Sequence, residues 1–315
     1  MKTATKLKLA TRINSILPTV NNDILAALES ISKIDGITSV DLNYPEHFEK
    51  HSLQEIQTTL SNTGLEVNGL ALRFRNQFVN GELGNKDSSL SLEAFHLCQE
   101  AADICRSLGG KVLTIWLGYD GFDYPFQVNY LEAWNQVKEY FCKLADYAPD
   151  LKISIEYKPF QPRAYSLVDS VGVTLLMVNE IGRPNVGVTL DYCHMLMKHE
   201  NPGFGLNLVA KQNKLYGVHI NDGYGLNDDG LMVGTASFLQ TLEFVYYLRK
   251  FNYQDAIYFD TFPVRENPYE EIQQNVKLIN KIFDLVEQIG LERIEQIIEE
   301  NDGVAATQLL LECLK

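Results

Sequence analysis

The residues of this chain that could do chemistry gather at the downstream ends of short apolar runs. Glu156 and Lys158 close ISIEYK, and Asp191 closes VGVTLDY with His194 three residues on. His219, Asn221 and Asp222 close LYGVHIND, Asp228 and Asp229 follow, and Asp260 lies within AIYFDTF. Carboxylates brought together cannot all stay ionised without a compensating charge. A divalent cation supplies it. An oxygen-rich, thiolate-free set suits Mg2+ or Mn2+, and the imidazoles also admit Co2+. Cys193 lies between Asp191 and His194, but one thiol is a weak argument for Zn2+. Taken singly, each residue has an ordinary reading: Glu156 as a salt-bridged strand end, Asp191 as a helix cap, His219 as a hydrogen-bonded core imidazole, Asp228 and Asp229 as a solvated turn. Their recurrence at the ends of successive apolar runs argues against all of these together, because burying unserved polar groups is costly.

The elements that must position these groups alternate along the chain. The candidate strands are 6–13, 36–43, 65–72, 111–117, 152–158, 186–192, 215–222 and 256–262, rich in Val, Ile, Leu and Tyr. Helical patterns lie between them, among others over 88–108, 129–147, 235–251 and 268–289. In the last, Ile272, Val276, Ile279, Phe283 and Val286 recur at three- and four-residue steps. Asn22 and Ser52 read as N-caps of the first two helices. This alternation predicts an α/β fold, a closed (β/α)8 TIM barrel, whose functional groups stand at the C-terminal ends of its strands. A doubly wound open sheet is the runner-up, but no Gly-rich phosphate turn follows 6–13. The expected organisation is one barrel domain over 1–290 and a short C-terminal helical extension over 291–315, made of one or two helices.

Composition sets outer limits. The 315 residues carry 27 Lys and Arg against 41 Asp and Glu, a formal charge of −14, which speaks against nucleic acid or an anionic membrane as partner. The 5 Cys are scattered without CxxC spacing, which suits a reducing compartment. The stretch Met1–Lys8 lacks an apolar leader core and no long apolar run follows, so the expected setting is the cytoplasm.

At the strand ends the chain resembles the xylose isomerase family of sugar isomerases. Ile155-Glu156-Tyr157-Lys158-Pro159-Phe160-Gln161-Pro162-Arg163 is similar to the family's I-E-x-K-P-x-E-P-R segment. Asp191-Tyr192-Cys193-His194 resembles its E-x-x-H, with Asp for Glu as in rhamnose isomerases and ketose 3-epimerases. His219-Ile220-Asn221 and Asp228-Asp229-Gly230-Leu231-Met232-Val233-Gly234 resemble H-I-D and D-x-D-L-x-x-G. Phe259-Asp260-Thr261-Phe262-Pro263-Val264-Arg265 resembles F-D-x-x-P-x-R, and Trp116-Leu117-Gly118-Tyr119-Asp120-Gly121 resembles W-G-G-R-E-G, whose Trp walls the sugar pocket. The resemblance covers roughly residues 35–285. There are departures. Asn43 stands for the ring-opening His, and Asn cannot act as a general acid–base. His47 is near enough in sequence to substitute, a surface role being the ordinary reading. Asn221 replaces an Asp ligand, and Gly230 replaces the second Asp of D-x-D.

The resemblance implies a divalent-metal-dependent aldose–ketose isomerase working by a metal-assisted 1,2-hydride shift, on a sugar other than xylose if the departures matter. It implies one or two ions. The first would be held by Glu156, Asp191, Asp260 and either His219 or Asn221, the second by Asp191, His194 and Asp228. Glu156, Lys158, Asp228 and Asp260 would carry the chemistry, while Trp116, Asn43 and His194 would contact the sugar. Arg73 and Arg75 follow the third strand, where an Arg pair is either solvated or salt-bridged, or clamps an anionic group on the substrate such as a carboxylate, sulfonate or phosphate. A ketose 3-epimerase using proton transfer is the alternative, and a non-catalytic sugar-binding barrel is the third reading. The apurinic endonuclease branch of the same fold would want a three-metal, His-rich site and a basic groove, against which stand 6 His and a charge of −14. The family association also implies a homodimer or homotetramer, to which an exposed Phe78 at the mouth could contribute, local packing being its ordinary reading.

Overall fold

In the computed structural model, which describes residues 7–313, the chain forms a closed barrel of eight parallel strands. The first residue of the expected strand 6–13, most of the stretch read for a leader, and the last two residues of the expected extension lie outside the described residues. The strands are β1 (Leu9–Arg12), β2 (Ser39–Tyr44), β3 (Glu66–Leu72), β4 (Val112–Trp116), β5 (Lys152–Glu156), β6 (Val186–Asp191), β7 (Leu215–Ile220) and β8 (Ile257–Phe259). Each pairs with the next, and β8 closes onto β1. All eight are shorter than expected: β1, β2 and β3 start later, while β5, β7 and β8 end before Lys158, Asn221 and Asp260.

Period-two alternation sorts the strand side chains. Val40 and Leu42, Leu113 and Ile115, Ile153 and Ile155, Val188 and Leu190 all join the main apolar core under the helices. Their neighbours face the barrel interior, and these are small or polar: Ser39, Gly69, Thr114, Ser154, Thr189 and Gly217. Ser154 and Thr189 hydroxyls bond at 2.6 Å there. Gly217 is required, since a Cβ at that position would run into Thr189 Oγ1. The same alternation carried one layer upward brings the charged residues to the mouth.

The outer ring is α1 (Ile24–Ile31), α2 (Leu53–Thr63), α3 (Ser88–Ser107), α4 (Tyr130–Tyr147), α5 (Val171–Ile181), α6 (Tyr192–Met197), α7 (Pro202–Ala210), α8 (Phe238–Lys250) and α9 (Pro268–Ile289). Ser52 caps α2 in a reciprocal capping box with Glu55. Asn22 does not cap α1. It sits at φ +55 in the preceding turn, and Asp23 accepts the amides of Leu25 and Ala26 instead. Beyond Gly290 the chain turns into α10 (Leu291–Glu300) and α11 (Gly303–Cys313). Phe78 is fully buried, edge-on to Phe74 at 5.3 Å, so of its two readings local packing holds and the exposed mouth aromatic does not. Among the described residues no helix is long and apolar enough to cross a membrane.

Candidate metal centre

Four adjacent strands deliver the donors. Glu156 ends β5, Asp191 ends β6 in register with His219 of β7, and Asp260 follows β8. One ligand atom from each of Glu156, Asp191, His219 and Asp260 lies within 4.8 Å of all the others. A second group, Asp191, His194 and Asp228, meets the same criterion and shares Asp191 with the first. His194 reaches this place because Asp191 caps α6, its carboxylate accepting the His194 amide at 3.0 Å. His219 Nδ1 lies 3.2 Å from Glu156 Oε1. His194 Nε2 lies 3.3 Å from Asp228 Oδ2, while its Nδ1 stands 3.7 Å from Glu156 Oε1 and 3.8 Å from Asp191 Oδ1.

The electrostatics follow from crowding acids and imidazoles away from water. Burial would push both imidazoles down, but the acids outweigh it. Asp191 and Asp228 lift His194 to about 9, and Glu156 lifts His219 to about 10. Burial raises Asp191 to about 7 against the pull of His194, and it raises Asp260 against the pull of Arg12. Burial is overcome at Glu156 by His219, and at Asp228 by His194 and Lys158, so both acids are held below their ordinary range.

The first donor set fits a divalent cation by its chemistry. Three carboxylates and an imidazole, with no thiolate, are the chemistry of Mg2+ or Mn2+ sites. In addition, His194 Nδ1 and Asp228 Oδ1 are buried without a hydrogen-bond partner, which native proteins rarely tolerate unless a ligand completes the site. Cys193 is no donor. Burial pushes its thiol up to about 12, and Sγ faces Asn227 O at 3.5 Å.

The remaining residues named from the sequence divide. Lys158, Trp116, Asn43 and Arg73 line the same cavity as the donors. Lys158 Nζ is 3.0 Å from Asp228 Oδ2 and 5.5 Å from the centre of the Trp116 ring. Asn221 is not placed as a ligand. Its Oδ1 accepts the Cys193 amide at 2.8 Å, and its Nδ2 faces both Asp191 oxygens and donates to Asp260 O at 3.0 Å, so a donor group points where a lone pair would be needed. Arg75 turns away from the cavity to pair with Glu49 at 2.6 Å. His47 is buried rather than at the surface. Its ring accepts the Asn43 amide at 3.0 Å and meets Asn14 Oδ1 at 2.6 Å, and burial, then Arg73 and Arg12, push it down to about 3. It does not line the cavity, so it does not stand in for a ring-opening acid.

Two charged residues of β1 and β2 were not singled out from the sequence. Arg12 lies 3.3 Å from Asp260 Oδ1, with its guanidinium 4.7 Å from the Phe262 ring centre. Asp41, its register partner on β2, lies in the cavity and accepts from Asn68 Nδ2 at 2.9 and 3.2 Å.

With this geometry in hand, similarity to known proteins becomes informative. A probable sugar isomerase of Rhizobium meliloti (strain 1021) is 32% identical over 165 residues, 49% of this chain and 36% of that protein. The xylose isomerase of Thermus caldophilus is 24% identical over 229 residues, 70% of this chain and 59% of that protein. The chain therefore spans less than two thirds of these relatives' length. The crystal structure of a D-allulose 3-epimerase from Methylomonas sp. superposes with a TM-score of 0.72 at 16% identity, covering 90% of this chain and all of that one, which shows the fold. Residues 28–282 match the family model for the xylose isomerase-like TIM barrel, and the chain belongs to that family.

Proposed function

We propose that the chain is a divalent-metal-dependent sugar isomerase or epimerase that moves a proton at the carbon beside the sugar carbonyl. The observation that carries this is the convergence of Glu156, Asp191, His219 and Asp260 on one point of the barrel mouth. A cation bound there would polarise the carbonyl and acidify the neighbouring C–H. Glu156 and Asp260 come from the two outer strands of the donor set and flank the bound sugar, one to take the proton and the other to return it. Lys158 faces the oxygen on which negative charge grows, and Trp116 gives the sugar an apolar wall that keeps water out.

A specific feature favours proton transfer with one cation over a two-metal hydride shift. In the second donor group Asp228 already has Lys158 at 3.0 Å as its counter-charge. Gly230 cannot be exchanged for an acid without strain, since it sits at φ +58 and the Phe262 ring occupies the space of a Cβ. His194 Nδ1 and Asp228 Oδ1 then serve sugar hydroxyls. The names of the relatives, sugar and xylose isomerases and a ketose 3-epimerase, support chemistry at adjacent sugar carbons without choosing the sugar.

The test is a screen of aldoses and ketoses run in D2O with Mn2+ or Mg2+. Solvent deuterium should enter the product carbon, and metal analysis should return one cation per chain. Glu156→Gln should lower kcat on the order of 10²–10⁴-fold with the fold intact. Product free of solvent deuterium together with two bound cations would instead favour the hydride shift.

A further inference from the structure

We propose that the substrate carries a terminal oxyanion, a carboxylate, sulfonate or phosphate, and that Arg73 binds it on the side of the cavity opposite the metal donors. This rests on reading the cavity as a sugar site. Arg73 follows β3, which stands across the closed barrel from β7, the strand of His219. Its amide donates to Tyr44 O at 2.9 Å, which fixes the backbone at the end of β2. Its side chain lines the cavity with Asn43, Leu72, Trp116 and Phe262.

The guanidinium of Arg73 is in an unusual position for a partly buried cation. Among the described residues it has no carboxylate within 4.0 Å and no side-chain hydrogen bond. The neighbouring cations are all served: Arg12 by Asp260 at 3.3 Å, Lys158 by Asp228 at 3.0 Å, and Arg75 by Glu49 at 2.6 Å. The other polar groups on this side are already committed. Asn43 donates to Asn14 at 3.1 Å, and His47 is neutral and turned to the Asn43 amide. Glu46 accepts from Asn14 at 2.9 Å, and Asp41 accepts from Asn68. The cavity therefore has a metal-binding half built from β5 to β8 and a second half in which the Arg73 guanidinium has no carboxylate partner. A half-buried cation without a counter-charge is unfavourable, and an oxyanion meeting the planar guanidinium in bidentate geometry relieves that cost. A sugar bridging the two halves presents its carbonyl end to the donors and its charged end to Arg73. A neutral hydroxyl would accept a hydrogen bond there but leave the charge unmatched.

The experiment is isothermal titration of the full chain loaded with Mn2+, using matched pairs of probes. These are D-glucose with D-glucuronate, D-glucose with 6-deoxy-6-sulfo-D-glucose, and D-fructose with D-fructose 6-phosphate, so that the arms separate the three oxyanions. At least one anionic member should bind about tenfold or more tighter than its neutral partner, and the preference should shrink with added salt. Arg73→Gln should lower that anionic-to-neutral ratio by about tenfold, with Arg73→Lys retaining part of it. Equal affinities within every pair for the unaltered chain would overturn the proposal, and so would a ratio that Arg73→Gln does not move. Metal-dependent turnover of neutral sugars without anion preference would defeat this proposal alone. Arg73-dependent anion preference in a chain that takes up no cation and turns over no sugar would support it and defeat the functional reading instead.

Discussion

At the scale of single residues, the candidate metal centre sets protons against a cation. The acids hold His194 and His219 up to about 9 and about 10, so both imidazoles carry protons at neutral pH in the metal-free chain. Raised histidines contribute stability that is complete below their ordinary pKa near 6.5 and is lost as pH rises through 9 to 10. A cation needs the neutral ring of His219 and must displace its proton. Titrating Mn2+ at pH 7.5 in buffers of different ionisation heat should therefore release about one proton per cation, with affinity climbing until about pH 10. Heats that do not depend on the buffer would show that His219 is already neutral or does not bind. The donors themselves were legible because a polar residue ending an apolar strand stands out in the sequence. Asn221 was not, because an amide can offer either face, and only its contacts with the Cys193 amide and Asp191 decide which. Arg12 and Asp41 were hidden for another reason. Each alone reads as a strand-edge charge, and only closure of β1 onto β8 sets Arg12 beside Asp260.

At the scale of elements, the loops after β3 and β4 hold each other through exchanged carboxylates. Glu82 accepts the amides of Tyr119 at 2.8 Å and Asp120 at 2.6 Å, while Asp120 accepts those of Glu82 at 2.9 Å and Gly84 at 3.0 Å. Gly81 and Gly84 make room, since a Cβ on either would come within 2.9 Å of Asp120 Oδ1. The second loop begins just past Trp116, so this clasp steadies one wall of the cavity. Burial raises Glu82 well above its ordinary value, with Asp120 adding to it, and raises Asp120 to about 6. Acids raised in this way contribute stability that is complete below about pH 4 and lost as pH rises through about 6. Glu82→Gln turns an acceptor into a donor facing the clasped amides, which should cost about 1–3 kcal/mol at pH 5. It also removes the charge that opposes Asp120, so the difference in Tm from the unaltered chain should narrow by pH 8. Thermal melts at the two pH values check this, and a gap that widens with pH would sink it. The strands could be read from their alternation, but the clasp could not. Its partners are 38 residues apart in loops of irregular backbone, where no periodicity points from one to the other.

At the scale of the molecule, the barrel closes without its last two helices. The chain alternation that announced eight strands says only that 291–315 is helical, because an amphipathic pattern does not name the surface it will cover. In the structure α10 buries Ile294 and Ile297 in a groove it forms with Leu242 and Tyr246 of α8, and Glu295 reaches Lys250 at 3.0 Å. No residue of α10 or α11 lines the cavity of the metal donors. The tail should therefore act on stability and not on the site. Burying each Ile is worth roughly 1.5–3 kcal/mol before the entropy of ordering the helix is charged against it. The net loss on removal is then a few kcal/mol, and at about 2–4 °C per kcal/mol a chain ending at Gly290 should melt several degrees to about 15 °C lower. It should still bind one Mn2+ with unchanged affinity, because β8 pairs with β1 and all four donors of the first group precede the cut. Melting curves with and without Mn2+ separate the two expectations: the cation-induced rise in Tm should survive truncation at full size even as the baseline falls. A truncated chain that folds but gains nothing from Mn2+ would mean that the tail shapes the mouth through α8. The loop that ends at α8 carries Asp228, so the second donor group is where such a coupling would first appear.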